Sequence, residues 1–383
     1  MSEQDQLVSK KDAKKMSYLS INVTTFFIFV SPSPPPGCLM QACIFDAHTH
    51  LHRHPSPEAA LRSALASGLT SIVVCATSPE DNAAVLSLCQ AHPQHLLPSF
   101  GLHPWWVGAQ VDDSWQGALT AALTQATASG LSVGLGECGL DFSPKALAAN
   151  PEPAQRSALA FQLRLAATLN LPVSLHCVRA HRALHSELAA LPALPRGLLL
   201  HSWAGSLGDA SRLLALTPHC LFSFSGGLVA SAARALAGTP RVQGCASRDT
   251  LASLRGLPSS SICFETDAPD QAFQQHMSGQ LRAAWGEEVQ GAEAAEAAAA
   301  PTLELAGGTG SSNSCSSSAG CCDPEAEGGL AAAVPQPSNS PEHLRQVIKA
   351  AAVLLRGKYS REAEKELEGC SLERLRYLFC PSQ

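Results

Sequence analysis

The sequence has no C-x-x-C pair and no P-loop, and no G-x-G-x-x-G follows its first apparent strand. Each absence removes a class of chemistry. Without C-x-x-C the 14 scattered cysteines are neither a finger-type zinc site nor a dithiol redox site. Cys75, Cys177 and Cys263 lie inside apolar runs, so we read them as reduced, mostly buried thiols of an intracellular protein. The missing P-loop argues against nucleotide triphosphatases. The missing glycine fingerprint argues against a dinucleotide-binding sheet. Positive charge is also short: 26 Lys and Arg against 32 Asp and Glu leave a net −6, which opposes general attraction to nucleic acid. A local basic groove remains open, because binding depends on where charges sit.

Long apolar runs are scarce as well. "YLSINVTTFFIFV" is too short and too polar for a membrane span. It follows the basic "SKKDAKKMS" and precedes "SPSPPPG". Residues 1–40 therefore read as a disordered extension or a targeting segment, although Glu3, Asp5 and Asp12 weigh against an organellar transit peptide. A cytoplasmic protein is expected, nuclear or organellar if that segment targets it.

What is present is a rhythm. From Cys43 onward, short β-rich runs alternate with Ala- and Leu-rich amphipathic stretches. The runs are 43–48, 70–77, 97–103, 132–137, 172–177, 197–202, 220–226 and 261–267. In the stretch 154–170, Leu159, Leu163 and Ala166 share one helical face. Apolar strands crossed over by helices imply a parallel sheet buried on both sides, and eight such units predict an α/β fold, a (β/α)8 TIM barrel. An open doubly wound sheet is the alternative. The barrel is assigned to 41–285. Residues 286–338, rich in Ala, Gly, Ser and Glu, cannot bury enough apolar surface to order and are expected to form a disordered, low-complexity insertion. Residues 339–383 are assigned to the closing helices, with Ser340 as N-cap, Pro341 in the first turn and a last helix at "SLERLRYLF".

The polar residues inside the apolar runs fall at the C-terminal ends of strands. His48 and His50 follow the first, His103 the third, Glu137 the fourth, His176 the fifth, His201 the sixth and Asp267 the eighth. Singly, each has an ordinary reading: an exposed loop histidine, a satisfied core histidine, a buried ion pair. In a parallel barrel, however, those ends meet at one mouth. Four histidines and two carboxylates, with His103 nearby, suit two divalent ions: Mg2+, Mn2+ or Zn2+. Such ions acidify a water and clamp the attacking and leaving oxygens of a displacement, which suits phosphodiester hydrolysis. His52 and His54 are given no ligand role. Trp105 and Trp106 either stack on a splayed base or simply pack.

The blocks "FDAHTHLH", "GLHPWW", "GLGECGLDF", "QRSALAFQLRLAATLNLPVSLHC", "HSWAGS" and "FETDAPD" resemble, in order and spacing, the TatD-type metal-dependent deoxyribonucleases of the amidohydrolase-like barrel superfamily. The resemblance covers about 43–270, and "NSPEHL" at 339–344 looks like the family's Asn-x-Pro-Glu after the last strand. It implies that His48 and His50 hold one ion, that Glu137 is shared, and that His176 and His201 hold the second. Asp267 would be a ligand and the base that orients or deprotonates water, and His103 would contact the substrate phosphate. The implied activity is cleavage of DNA, often as an exonuclease on single strands or ends, with no stable protein partner and no membrane. Two departures touch the substrate wall. Val178 stands where the family's "HCR" has arginine, moving Arg179, our candidate substrate contact, one position later; Ser202, Trp203 and Ala204 replace residues of "HCFSGS". A hydrolase of another phosphoester, lactone or amide is the second hypothesis, and a non-catalytic barrel binder the third.

Overall fold

In the computed structural model, residues 44–110, 112–236, 247–271 and 339–356 are described. Eight strands form one parallel sheet in sequential order: β1 Ile44–Thr49, β2 Leu69–Cys75, β3 Leu96–Phe100, β4 Gly134–Asp141, β5 Pro172–Val178, β6 Gly197–Leu200, β7 Cys220–Ser225 and β8 Ile262–Glu265. The helices between them are α1 Pro57–Ala66, α2 Asn82–Ala91, α3 Ser114–Ala128, α4 Pro144–Ala149, α5 Glu152–Thr168, α6 His181–Ala189, α7 Leu207–Leu216, α8 Gly226–Leu236 and α9 Ser247–Gly256. α10, Leu344–Arg356, follows the last strand. This is the expected (β/α)8 barrel.

Alternation along the strands divides the apolar residues into two layers. Phe45, Val73, Leu97, Leu199, Leu221 and Cys263 form a cluster of strand residues alone, the barrel interior. Their neighbours Ile72, Val74, Leu198, Leu200 and Phe222 join the larger cluster with the helices. A period of two gives both faces of each strand a partner, so the runs read as continuously apolar. Further along the same strands the interior turns polar, with Ser99, Ser174, Ser223 and Glu265 all fully buried.

The open-sheet alternative is excluded where the chain returns to β1. Thr266 donates its backbone N–H to Asp46 Oδ1 at 3.0 Å and its hydroxyl to Oδ2 at 2.6 Å. Asp267 N–H donates to the His48 carbonyl at 3.0 Å, and His50 N–H to the Ala268 carbonyl at 2.7 Å. Asp46 thus clips the last strand to the first, just before the two segments present His48, His50 and Asp267.

The Asn-x-Pro-Glu segment occupies the position expected for it. Asn339 donates to the Thr266 carbonyl at 2.5 Å and to that of Asp270 at 2.8 Å, fixing the turn after β8. Ser340 is the N-cap and Pro341 opens the first turn, as predicted. Along α10, Leu344, Val347, Ile348 and Ala351 are buried at helical spacing, and the helix packs on α8 and β8. Among the described residues no helix is long and apolar enough to cross a membrane. The six cysteines described are free, five of them buried. The expected extension 1–40, insertion 286–338 and last helix at 371–379 lie outside the described residues.

Candidate metal centre

Strand ends place the site. Within β1 the register against β2 shifts between Asp46 and Thr49, and His48 and His50, two residues apart, both face the Glu137 carboxylate. His48 Nδ1 lies 3.0 Å from Ser174 Oγ, and His50 Nδ1 lies 2.9 Å from the Cys75 carbonyl. A carbonyl only accepts, so the His50 Nδ1–H donates and its Nε2 carries the lone pair. The two Nε2 atoms end 3.4 Å apart, aimed at a common point.

β4 delivers Glu137 through an irregularity of its own. Its register against β5 breaks between Leu135 and Cys138. Gly136 has φ +139°, and a Cβ there would stand 2.5 Å from the Ser174 carbonyl oxygen, so only glycine fits. The Glu137 carboxylate then divides between two groups of rings. Oε2 is 3.3 Å from His48 Nε2 and 3.4 Å from His50 Nε2. Oε1 is 2.8 Å from His201 Nε2, 3.0 Å from His176 Nδ1 and 3.1 Å from His103 Nε2. Asp267 Oδ1 sits on the first side, 3.5 Å from His50 Nε2 and 3.7 Å from His48 Nε2.

The electrostatics follow from packing so many groups out of water. Burial opposes the Glu137 charge, yet the surrounding His201, His103 and His176 hold the carboxyl well below its usual range. Burial likewise opposes charge on His201, but Glu137 and then Glu265 raise it well above the ordinary imidazole value. His103 goes the other way: burial, against the pull of Glu137 and with repulsion from His176, brings it down to about 4. Burial and the charge of His201 lower His48. The centre is therefore one anion shared among rings that cannot all be charged.

Three groups of side chains could hold an ion: His48, His50 and Glu137; His48, His201 and Asp267; and His103, Glu137 and His176. The fit is supported by what is left unpaired. Asp267 Oδ1, the oxygen on the cluster side of its carboxylate, is buried with no hydrogen-bond partner. Imidazole nitrogens and carboxylate oxygens are a donor set for Zn2+ or Mn2+, and with water for Mg2+.

All six residues read from the sequence as ligands are brought together, with His103 in the same cluster. Arg179 is not in the cluster; it follows β5 with φ +56° and an exposed side chain. His52 lies 3.4 Å from Asp81, and His54 accepts from Ser56 N–H, so neither joins the centre.

Several supporting residues went unread. Glu265 Oε1 is 3.6 Å from His201 Nδ1, while Ser223 donates to its other oxygen. Asp141 Oδ2 is 3.4 Å from His176 Nε2 and accepts from the Trp105 indole at 2.6 Å. Gln271 donates to Asp267 Oδ2 at 2.7 Å. The available signal is even spacing: Asp46, His48 and His50, and Glu265 and Asp267, are two apart, and Glu137 and Asp141 are four apart. Gln271 carried no signal.

The family model described as TatD related DNase matches residues 45–297. The 3'-5' ssDNA/RNA exonuclease TatD of Erwinia tasmaniensis is 33% identical over 159 residues, 40% of this chain and 57% of that protein. The match thus spans little more than half of that relative. The uncharacterized metal-dependent hydrolase YjjV of Escherichia coli is 34% identical over 229 residues, 59% of this chain and 79% of that protein. The crystal structure of the TatD homologue YjjV from Escherichia coli superposes with a TM-score of 0.60 at 24% identity, covering 89% of this chain and 99% of that one. With a barrel that ends in this histidine–carboxylate cluster and a family match over most of its length, the chain belongs to the TatD related DNase family.

Proposed function

We propose that the chain is a divalent-metal-dependent hydrolase that cleaves DNA phosphodiesters, as an exonuclease acting on single strands or strand ends. The observation that carries this is Glu137, whose two oxygens face two separate sets of imidazole nitrogens. His48 and His50 would hold one ion, His176 and His201 the other, with Glu137 shared and Asp267 completing the first set. Two bound ions, Mg2+, Mn2+ or Zn2+, supply the charge that acidifies a water and steadies the phosphate oxygens.

The chain's own residues do the rest. Asp267 has one carboxylate oxygen held by Gln271 and the other unpaired, which suits a group that orients a water and takes its proton. His103, with its imidazole held neutral, would donate a hydrogen bond to the substrate phosphate. Arg179, exposed at the end of β5, would add charge to a phosphate further out. The relatives named as exonucleases of single-stranded DNA and RNA support the polymer reading. No stable protein partner is proposed, and the protein would act in the cytoplasm, or in the nucleus or an organelle if residues 1–40 direct it there.

A net charge of −6 favours one second reading, a small phosphoester in place of a long polyanion. The deciding experiment is metal analysis of the purified protein together with cleavage of labelled single-stranded DNA in Mg2+ or Mn2+. Intact DNA beside a hydrolysed small phosphoester would select the second reading. Protein that binds no metal would overturn both.

A further inference from the structure

We propose that Trp105, with Lys145, forms a subsite beside the metal centre that stacks on the base of the nucleotide being cut and meets its neighbouring phosphate. This rests on the nucleic-acid reading above and names where the base goes.

The indole is exposed without being loose. Trp105 keeps 45% of its surface open, whereas Trp115, which serves packing, keeps 6%. Its Nε1–H donates to Asp141 Oδ2 at 2.6 Å, and that carboxylate is 2% exposed. The Trp105 backbone N–H donates to His103 Nδ1 at 3.1 Å. Three residues on, Gly108 N–H donates to Asn150 Oδ1 at 2.7 Å, and a Cβ at Gly108 would lie 2.1 Å from the Ala149 carbonyl oxygen. The turn Pro104–Ala109 is thus seated directly on the end of α4. A large apolar ring left this exposed while its indole N–H is tied to a buried carboxylate is pre-organised for a flat partner.

Its position selects that partner. The Trp105 ring meets His103 edge-on at 5.5 Å, and His103 Nε2 is 3.1 Å from Glu137 Oε1. The ring is therefore one side chain removed from the shared carboxylate, as a base is one sugar removed from its phosphate. Lys145 Nζ stands over the ring, 5.2 Å from its centroid, and is exposed, so a base arriving on that face would displace the ammonium outward toward its phosphate. Trp106 is equally exposed, but it lines a cleft of about 650 Å3 in which Glu80, Asp81 and Asp112 outnumber the one cation, Arg53, itself paired with Asp81. Those carboxylates repel a phosphate backbone, so Trp105 is the platform. Stacking on an indole reads the π-face every base has, which makes the subsite indifferent to sequence.

The test uses the full chain with Mn2+ and variants Trp105→Leu, Trp105→Phe and Lys145→Gln, each first checked for an unchanged melting temperature. Substrates are oligodeoxyadenylate and the same oligonucleotide with an abasic terminal residue. Trp105→Leu should raise KM on the intact oligonucleotide by about ten-fold or more with kcat nearly kept. Trp105→Phe, which keeps a ring and loses the bond to Asp141, should restore most of that. On the abasic end, wild type and Trp105→Leu should perform alike. Lys145→Gln should flatten the salt dependence of KM. Equal KM for wild type and Trp105→Leu, or an equal loss on the abasic end, would overturn the subsite while leaving the nuclease standing. Wild type that neither cuts nor binds oligodeoxyadenylate, by fluorescence anisotropy in Ca2+, removes both together.

Discussion

Gln271 donates its side-chain amide to Asp267 Oδ2 at 2.7 Å, while Oδ1 of the same carboxylate is buried without a hydrogen-bond partner. A ring of hydrogen bonds fixes which way the amide points. Ser202 Oγ donates to Ser225 Oγ at 3.3 Å, Ser225 Oγ donates to Gln271 Oε1 at 2.7 Å, and Gln271 Nε2 donates to Ser202 Oγ at 2.9 Å. Ser202 is one of the departures noted in the sequence, and here it is a member of the device that holds Asp267. Gln271→Leu should therefore lower kcat by about ten- to a hundred-fold, the worth of one hydrogen bond to a charged group, at nearly constant melting temperature. Steady-state kinetics on a labelled strand checks this; an unchanged kcat would mean the contact is incidental.

Among the described residues, Glu137 is the one carboxylate with an oxygen on each set of rings. Glu137→Gln keeps the shape and removes the charge. Turnover should fall by at least about a hundred-fold, with bound metal reduced and the barrel's circular dichroism retained. Asp267→Asn should abolish turnover too, with bound metal reduced on one side only. Full occupancy and wild-type rate in either variant would sink the ligand assignment.

Glu265 lies behind His201 rather than against the cluster, with Oε1 3.6 Å from His201 Nδ1. A carboxylate there favours the tautomer with its proton on Nδ1, leaving Nε2 free to bind a metal. Glu265→Gln should weaken metal binding by about 10- to 100-fold, which equilibrium dialysis reads independently of catalysis.

Metal and protons compete for the same nitrogens. Glu137 and Glu265 outweigh burial and raise His201 well above its ordinary value, which favours its protonated form when no metal is bound. Loading the site must expel that proton. Affinity should rise by about ten-fold per pH unit per proton released, and fall in acid. Titration calorimetry in two buffers of different ionisation heat counts the protons; identical heats in both would refute the exchange.

Asp81 offers a separate pH test, on stability. It accepts from Thr77 N–H and Thr77 Oγ1, both at 2.9 Å, and from Arg53 at 2.6 Å. Burial works against its charge, but the contacts with His52, Thr77 and Arg53 hold the carboxyl well below its usual range. A depressed carboxyl stabilises the fold above its unfolded value and loses that contribution as pH falls toward its folded value. Asp81→Asn should cost about 1–3 kcal/mol near neutrality, with the difference from wild type narrowing from about pH 4 downward. Denaturant melts of the metal-free protein at both pH values measure it.

Much of the fold was legible because its strands are apolar on both faces and its helices on one. The places where the reading slipped are physical. The fourth run was read as ending at Glu137, whereas β4 continues to Asp141. Gly136 and Gly139 there have φ of +139° and +147°, so the strand runs on through backbone that breaks the apolar pattern. The sixth and eighth runs were read to Ser202 and Asp267, but β6 stops at Leu200 and β8 at Glu265. Ser202 and Asp267 have φ of +47° and +55°, left-handed positions that turn the chain out of the sheet at the mouth. Holding such residues costs about 1–3 kcal/mol each, a cost accepted where side chains must be aimed.

The sequence by itself determined the barrel, the mouth and the six ligand candidates. Period and strand-end position are local properties, and a parallel barrel has only one end at which such residues can meet. Tertiary structure decided the division of Glu137 between two sets of rings, the backing of His201 by Glu265, and the ring through Gln271, Ser202 and Ser225 that holds Asp267. These contacts join residues from different strands at distances of a few ångströms. Only the curvature and closure of the sheet, fixed by the Asp46–Thr266 clip, bring them within reach.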